Sequence, residues 1–313
     1  MRVALMIEGQ EDVTWEDWVA LAQACERNGF EALFRSDHYI SVDDFRDRGS
    51  LDAWGSVTAL AATTRTLRLG TLVSPASFRH PSVLAKLVTT ADHVSGGRVE
   101  LGLGTGWWES EHTAYGFPFG PMGSRMDVLA EQLEIVRSQW AEGTFSFHGE
   151  HYTLEDLDAR PKPVQYPHPP LIVGGAAGPR SAALAARWAT EYNTVFPDVT
   201  EAKQRHDNVV AACEKAGRDP ATMGFSMMNG LLIGADEADL RRRGEALAEW
   251  RRRPSDLDAL RATWVAGTTE EVIARLREYE EVGVQRVMLQ HLLHRDLEVL
   301  DLIGHEVIPA VGR

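Results

Sequence analysis

The sequence predicts a (β/α)8 TIM barrel with insertions, forming one domain over residues 1–313, and three observations carry that expectation. Short apolar runs alternate with amphipathic stretches of helical period from end to end, the pattern of repeated βα units around a parallel sheet. Eight such units can be counted, and their even spacing favours a closed barrel over an open doubly wound sheet, which periodicity also permits. The length of 313 residues suits one barrel of about 250 residues plus insertions.

The units follow in order. Strand one is Val3 to Ile7, and the helix from Thr14 to Asn28 repeats Trp15, Trp18, Val19 and Leu21 at helical spacing before Asn28-Gly29 closes it. Strand two, Ala32 to Phe34, leads into Arg35-Ser36-Asp37-His38, and the second helix runs near Leu51 to Thr64. Strand three and its exit are Leu67 to Val73. Pro81 opens helix three, because the first helical N–H has no intrahelical partner to lose. Strand four is Val99 to Leu103 and helix four Ser124 to Glu142. Aromatics and then Arg160-Pro161-Lys162-Pro163 and Pro167-His168-Pro169-Pro170 mark an inserted excursion over about 143–170. Strands five to eight are Leu171 to Val173, about Tyr192 to Val195, Gly224 to Met228, and Arg286 to Leu289. A second irregular insertion spans about 252–266, preceded by Arg251-Arg252-Arg253, read as a solvated face.

Composition narrows the function classes. The chain is 44% hydrophobic and 25% charged, typical of a globular protein with a sizeable core, and its net charge of −14 opposes nucleic acid and anionic membranes as partners. Any anionic cofactor must therefore be held by local donors. Two isolated cysteines, Cys25 and Cys213, fit a reducing cytoplasm, and the opening Arg2-Val3-Ala4-Leu5-Met6-Ile7 reads as a strand rather than a secretory signal. No apolar stretch approaches the ~18 residues a bilayer span needs. His148 with His151, and His291 with His294, lack a third ligand, so no metal site is expected; no G-x-S-x-G elbow exists either.

In such a barrel the loops after the strands form the active face. Strand two exits through Ser36-Asp37-His38-Tyr39, which pairs a carboxylate with the imidazole suited to proton transfer near neutral pH. Strand three exits through Gly70-Thr71-Leu72-Val73-Ser74-Pro75, followed by Arg79 and His80, which would position an anion at the start of helix three. Strand four exits through Gly102-Leu103-Gly104-Thr105-Gly106-Trp107-Trp108, a glycine series letting backbone approach a planar ligand, though its spacing is not that of a dinucleotide motif. Strand five exits through Gly174-Gly175-Ala176-Ala177-Gly178-Pro179-Arg180-Ser181, a phosphate cradle in which backbone N–H groups and Arg180 would donate.

Taken with Arg98-Val99-Glu100-Leu101, Glu111-His112, Ala114 to Phe119, Arg125, Pro161-Lys162-Pro163 and Pro169 to Gly175, these motifs resemble, in order and over nearly the whole chain, the luciferase-like monooxygenase superfamily. The closest likeness is to its coenzyme F420-dependent branch. The resemblance implies a deazaflavin or flavin ring at the barrel mouth against Thr71 and Leu72, with Gly104, Thr105, Gly106 and Trp107 alongside. Asp37 and His38 would sit near the reactive edge and the phosphate at Gly174-Gly175. It also implies a non-proline cis peptide at about Thr71-Leu72 and a homodimer packed through early helices, for which Trp15 and Trp18 offer apolar area. The expected reaction is hydride transfer between the deazaflavin C5 and a small organic substrate, with His38 as proton donor and Asp37 as its orienter or a cofactor contact. An FMN-dependent monooxygenase is the alternative, and a non-catalytic flavin-binding barrel a third reading. Trp107 stands where sugar-phosphate-oxidising relatives carry an acid, so Trp107, Trp108 and Tyr115 point to a flatter, more apolar substrate pocket.

Overall fold

A computed structural model describes residues 1–43 and 45–312. The elements in chain order begin with β1 (Arg2–Ile7), α1 (Trp15–Arg27), β2 (Ala32–Arg35), α2 (Ala53–Thr63), β3 (Arg68–Pro75), α3 (Pro81–Ser95), β4 (Val99–Gly104), α4 (Glu109–Tyr115) and α5 (Met122–Trp140). There follow β5 (Phe145–His148), β6 (Thr153–Leu157), β7 (Leu171–Gly174), α6 (Pro179–Trp188), β8 (Glu191–Val195), α7 (Val199–Lys215) and β9 (Gly224–Gly234). The last are α8 (Glu237–Trp250), α9 (Leu257–Thr263), β10 (Val265–Thr268), α10 (Thr269–Glu281), β11 (Arg286–Gln290), α11 (Glu298–Leu302) and α12 (Ile308–Val311). Among the described residues, β1-β2-β3-β4-β7-β8-β9-β11 pair in parallel and β11 returns to β1, which closes the eight-stranded barrel.

Local chemistry sets the boundaries. Thr14 caps α1 with a reciprocal box, its hydroxyl accepting from Asp17 N while Asp17 accepts from Thr14 N. Pro81 begins α3 as its sequence implies, and Gly96 ends it with φ 67°. Strand β1 is apolar throughout because both of its faces are covered. Val3, Leu5 and Ile7 pack outward against the helices, and Ala4 and Met6 inward with Phe34, Ile172 and Met288.

Charge occupies the lower barrel. Arg286 donates to Glu100 Oε2 and to Glu191 Oε1, each at 2.8 Å, and Arg68 also reaches Glu100. Arg286, Glu100 and Glu191 are all buried. Burial opposes the charge on Glu100, but Arg286 and then Arg68 outweigh it and bring its pKa down to about 2.

Several expectations need correction. The 143–170 excursion contains the antiparallel hairpin β5–β6, and α4 is an additional helix before the long one. The 252–266 segment is not irregular: it holds α9 and leads into β10, which pairs with an overlong β9 from Val265↔Leu231 to Thr268↔Gly234. Strand seven therefore runs well past Met228. The non-proline cis peptide lies at Leu72–Val73, one residue later than expected. Thr71 is still in register with Leu101, and the β3–β4 pairing shifts only beyond it. Trp18 is fully buried beneath Arg35, so of the two tryptophans only the partly buried Trp15 leaves apolar area at the surface of this helix. Among the described residues no helix is long and apolar enough to cross a membrane.

Candidate active site at the carboxyl ends of the strands

A cavity of about 640 Å³ opens at the carboxyl ends of the barrel strands, within the usual range for small-molecule sites. Its floor is apolar, made by Met6, Leu72, Val73 and Met228, and its walls carry Glu8, His38, Thr105, Trp107, Asn193 and Gln290.

His38 lies on this wall, and its partner is Glu111. The Nδ1 atom is 2.7 Å from Glu111 Oε2, and since a carboxylate only accepts, Nδ1 carries the proton. Glu111 is fully buried on α4, and its other oxygen accepts from the backbone N–H of Tyr39 at 2.6 Å and of Ile40 at 3.4 Å. Those bonds fix the carboxylate, and the carboxylate fixes the ring. Trp107 and Trp108 meet the imidazole edge-on, with centroids 5.8 and 6.0 Å away. Nε2 has no protein partner among the described residues. Burial would lower the His38 pKa, but the hydrogen bond and charge of Glu111, with Glu8 and Asp37 adding, raise it above its ordinary value.

Asp37 does not do what its neighbourhood in sequence suggests. It is buried and accepts from both Nη atoms of Arg79, at 2.5 and 3.2 Å, and from Ser74 Oγ at 2.6 Å. Adjacent side chains on an extended segment face opposite ways, so Asp37 cannot share the cavity with His38 or orient it. Arg79, bound also to Asp52 at 2.7 Å, is likewise committed, and His80 caps α3 through Ser82 N instead of holding a free anion.

The glycines have a structural job as well. A Cβ on Gly102 would lie 2.1 Å from Thr71 O, and one on Gly104 would lie 2.7 Å from Val73 Cγ2, so both let β4 close against the shifted end of β3. Leu72, Gly104, Thr105, Gly106 and Trp107 still line the cavity, as do Gly174 and Gly175. Thr71 is buried beneath that floor, its hydroxyl donating to Gly102 O at 3.1 Å. Trp108 stacks on Trp107 outside the lining, and Tyr115 stacks on Tyr39 at the surface. Arg180 also turns away, donating to Asp127 Oδ1 at 2.5 Å, because an exposed guanidinium finds the nearest carboxylate.

Some site residues escape sequence reasoning. Glu8 stands directly beyond strand one and is fixed by Gln10 Nε2 at 2.8 Å and by Gln290 Nε2. Ser36 Oγ donates to Gln10 Oε1 at 2.5 Å and accepts from Gly9 N at 2.9 Å. The strand-exit rule applied to strand one would have found Glu8. Glu111 enters the sequence reading only within the Glu111-His112 motif of the resemblance and without a role, since only the path of α4 brings it back to the exit of β2. Trp264 comes from the segment expected to be irregular, Arg251 from the triplet read as a solvated face, and Trp250 from the end of α8.

A planar redox cofactor fits these residues. The apolar floor and the rim of Gly104 to Trp107 offer a flat bed, and α6 starts beside the Gly174-Gly175 turn without a side-chain cap, leaving backbone N–H donors for a phosphate.

A family model described as luciferase-like monooxygenase matches residues 1–286. The F420-dependent hydroxymycolic acid dehydrogenase of Mycobacterium tuberculosis is 32% identical over 71% of this chain, a match spanning 61% of that relative's own length. The FMNH2-dependent dimethylsulfone monooxygenase of Pseudomonas putida is 27% identical over 93% of this chain and 86% of its own. Two solved structures share the fold. A monooxygenase from Streptomyces bottropensis superposes with a TM-score of 0.84 at 24% identity, covering 99% of both chains. An F420-dependent secondary alcohol dehydrogenase gives 0.85 at 22% identity, covering 100% of this chain and 99% of its own.

Proposed function

The chain belongs to the luciferase-like monooxygenase family, and from that premise we propose that it is a coenzyme F420-dependent oxidoreductase acting on a small organic substrate. The observation that carries this reading is the His38–Glu111 pair, an imidazole whose pKa the carboxylate raises and whose Nε2 is free at the cavity wall. Bound at the barrel mouth, the reduced cofactor would supply a hydride. His38 Nε2 supplies the proton that a hydride acceptor needs at its heteroatom or adjacent carbon. Glu111 favours the protonated imidazole and holds it in place. Leu72 and Val73 would hold the ring system, the Gly174-Gly175 turn and the start of α6 would hold the phosphate, and Trp107 would limit water at the rim.

The F420 relative supports this cofactor, whereas the FMN-dependent relative aligns over more of the chain and keeps an FMN-dependent monooxygenase as the second reading. Fluorescence titration with each purified cofactor separates them. Coenzyme F420 is expected to bind at least about tenfold more tightly than FMN, a difference of about 1.4 kcal/mol. Tight, preferential FMN binding overturns the choice, and F420 binding without substrate-dependent oxidation supports a non-catalytic barrel.

The His38 pair also sets a pH dependence. A proton donor with a raised pKa is active below that pKa and lost as pH rises through it. Glu111→Gln removes the opposing charge and should move the alkaline limb of kcat to lower pH. An unmoved limb would show that His38 is not the titrating donor.

A further inference from the structure

The basic triplet at the end of α8 divides in two. Arg252 pairs with Asp47 at 2.5 Å and Arg253 faces Asp43 at 3.8 Å, as a solvated charged face would. Arg251 instead lines the cavity, and among the described residues its side chain has no hydrogen bond and no ion pair. Its guanidinium stands over Trp264 with Cζ 5.5 Å from the ring centroid, and its Nε is buried without a partner.

No protein group among the described residues meets that buried Nε, a cost of about 1–3 kcal/mol, and the rest of the guanidinium lines the cavity with neither hydrogen bond nor ion pair, open to an acceptor. The neighbouring acids are already engaged. Glu11 is held by Arg48 at 2.7 Å and by Ser41, Glu8 by Gln10 and Gln290, and Asp43 lies against Arg253. Trp264 faces Arg251, and Trp250, Trp264 and Leu292 of the same lining pack against one apolar cluster. This side of the mouth is built from the segments after β9 and β11. The Gly174-Gly175 turn follows β7, which β8 separates from β9 in the barrel.

We propose that Arg251 receives a carboxylate on the substrate, whose apolar or aromatic body packs against Trp250 and Trp264. A planar guanidinium fork matches a carboxylate with two parallel N–H donors, and the indole walls suit a flat hydrophobic body. The assignment makes the substrate of the proposed oxidoreductase an organic acid and rests on that reading for the reaction alone, since the anion site exists without cofactor.

Calorimetric titration of the cofactor-free full chain with 2-naphthoate and with its neutral isostere 2-naphthamide tests the site. The wild type should bind the carboxylate about tenfold or more tightly than the amide, the size expected for a charge-assisted hydrogen-bonded pair. Arg251→Met should abolish that preference while amide affinity stays within about twofold, so amide binding reports an intact cavity. Arg251→Lys should keep part of it. Equal affinity for the two probes, binding of neither, or an unchanged preference in Arg251→Met overturns the assignment. The affinity for whichever of coenzyme F420 and FMN the chain binds should be the same in wild type and Arg251→Met, and a roughly tenfold loss there would place Arg251 on the cofactor's anionic tail and likewise overturn it. Failure of F420 to bind in the separate cofactor titration would not alter these results.

Discussion

Replacing His38 with alanine should lower turnover roughly 100- to 10,000-fold, the range over which a positioned general acid contributes. Steady-state oxidation of the reduced cofactor by an acceptor measures it. The loss should fall on kcat, because the side chain acts on the developing product and adds little to the apolar floor that holds the ring. Stability is a necessary companion measurement. Truncation leaves Glu111 Oε2 buried without its imidazole, although Oε1 keeps the Tyr39 and Ile40 amides, so a cost of about 1–3 kcal/mol is expected. His38→Ala with normal turnover would remove the proposed mechanism, and normal stability with lost turnover would strengthen it. Asp37→Asn should act differently: it breaks the paired bonds to Arg79, so its effect is on folding and on the path of the β2 exit rather than on the pH profile.

Arg286→Ala should be the most destabilising single change, at about 3–5 kcal/mol, because it strands Glu100 and Glu191 inside the barrel and leaves Arg68 to serve Glu100. Thermal unfolding should show a fall in Tm on the order of 10 °C. The sign with pH follows from Glu100. Its folded pKa is depressed to about 2 from 4.5, so the stability it contributes is present above 4.5 and lost as pH falls towards 2. The deficit of Arg286→Ala should therefore be greatest near neutrality and shrink in acid, where the stranded carboxylate can protonate. A deficit independent of pH would mean that packing, including the guanidinium over Phe34 at 5.2 Å, outweighs charge in this cluster. Arg286 lies at the amino end of β11, away from the cavity, so the folded fraction should keep its activity.

The barrel was legible because each βα unit carries its own local instructions. Thr14 and Asp17 close a capping box, Pro81 starts a helix, Gly96 ends one, and strands covered on both faces read as uninterrupted apolar runs. His38, Leu72, the Gly104 to Trp107 run and Gly174-Gly175 were legible too, since the carboxyl end of a barrel strand faces the site wherever the strand is correctly read. What the chain order could not convey was which side chain meets which. Asp37 is next to His38 in sequence yet faces Arg79, and Glu111 is far along the chain yet holds the imidazole. Arg180 follows a glycine turn but joins Asp127, while Arg251, in a run that reads as solvated, enters the cavity. Sequence alone thus determined the eight barrel strands, most of the helices between them and the end of the barrel on which the cavity opens, because these follow from periodicity and caps acting over a few residues. The tertiary structure decided the partner of His38, the committed arginines and the free one, because a charged side chain takes its partner from whatever the fold brings within about 3 Å, and neighbours along an extended chain point apart.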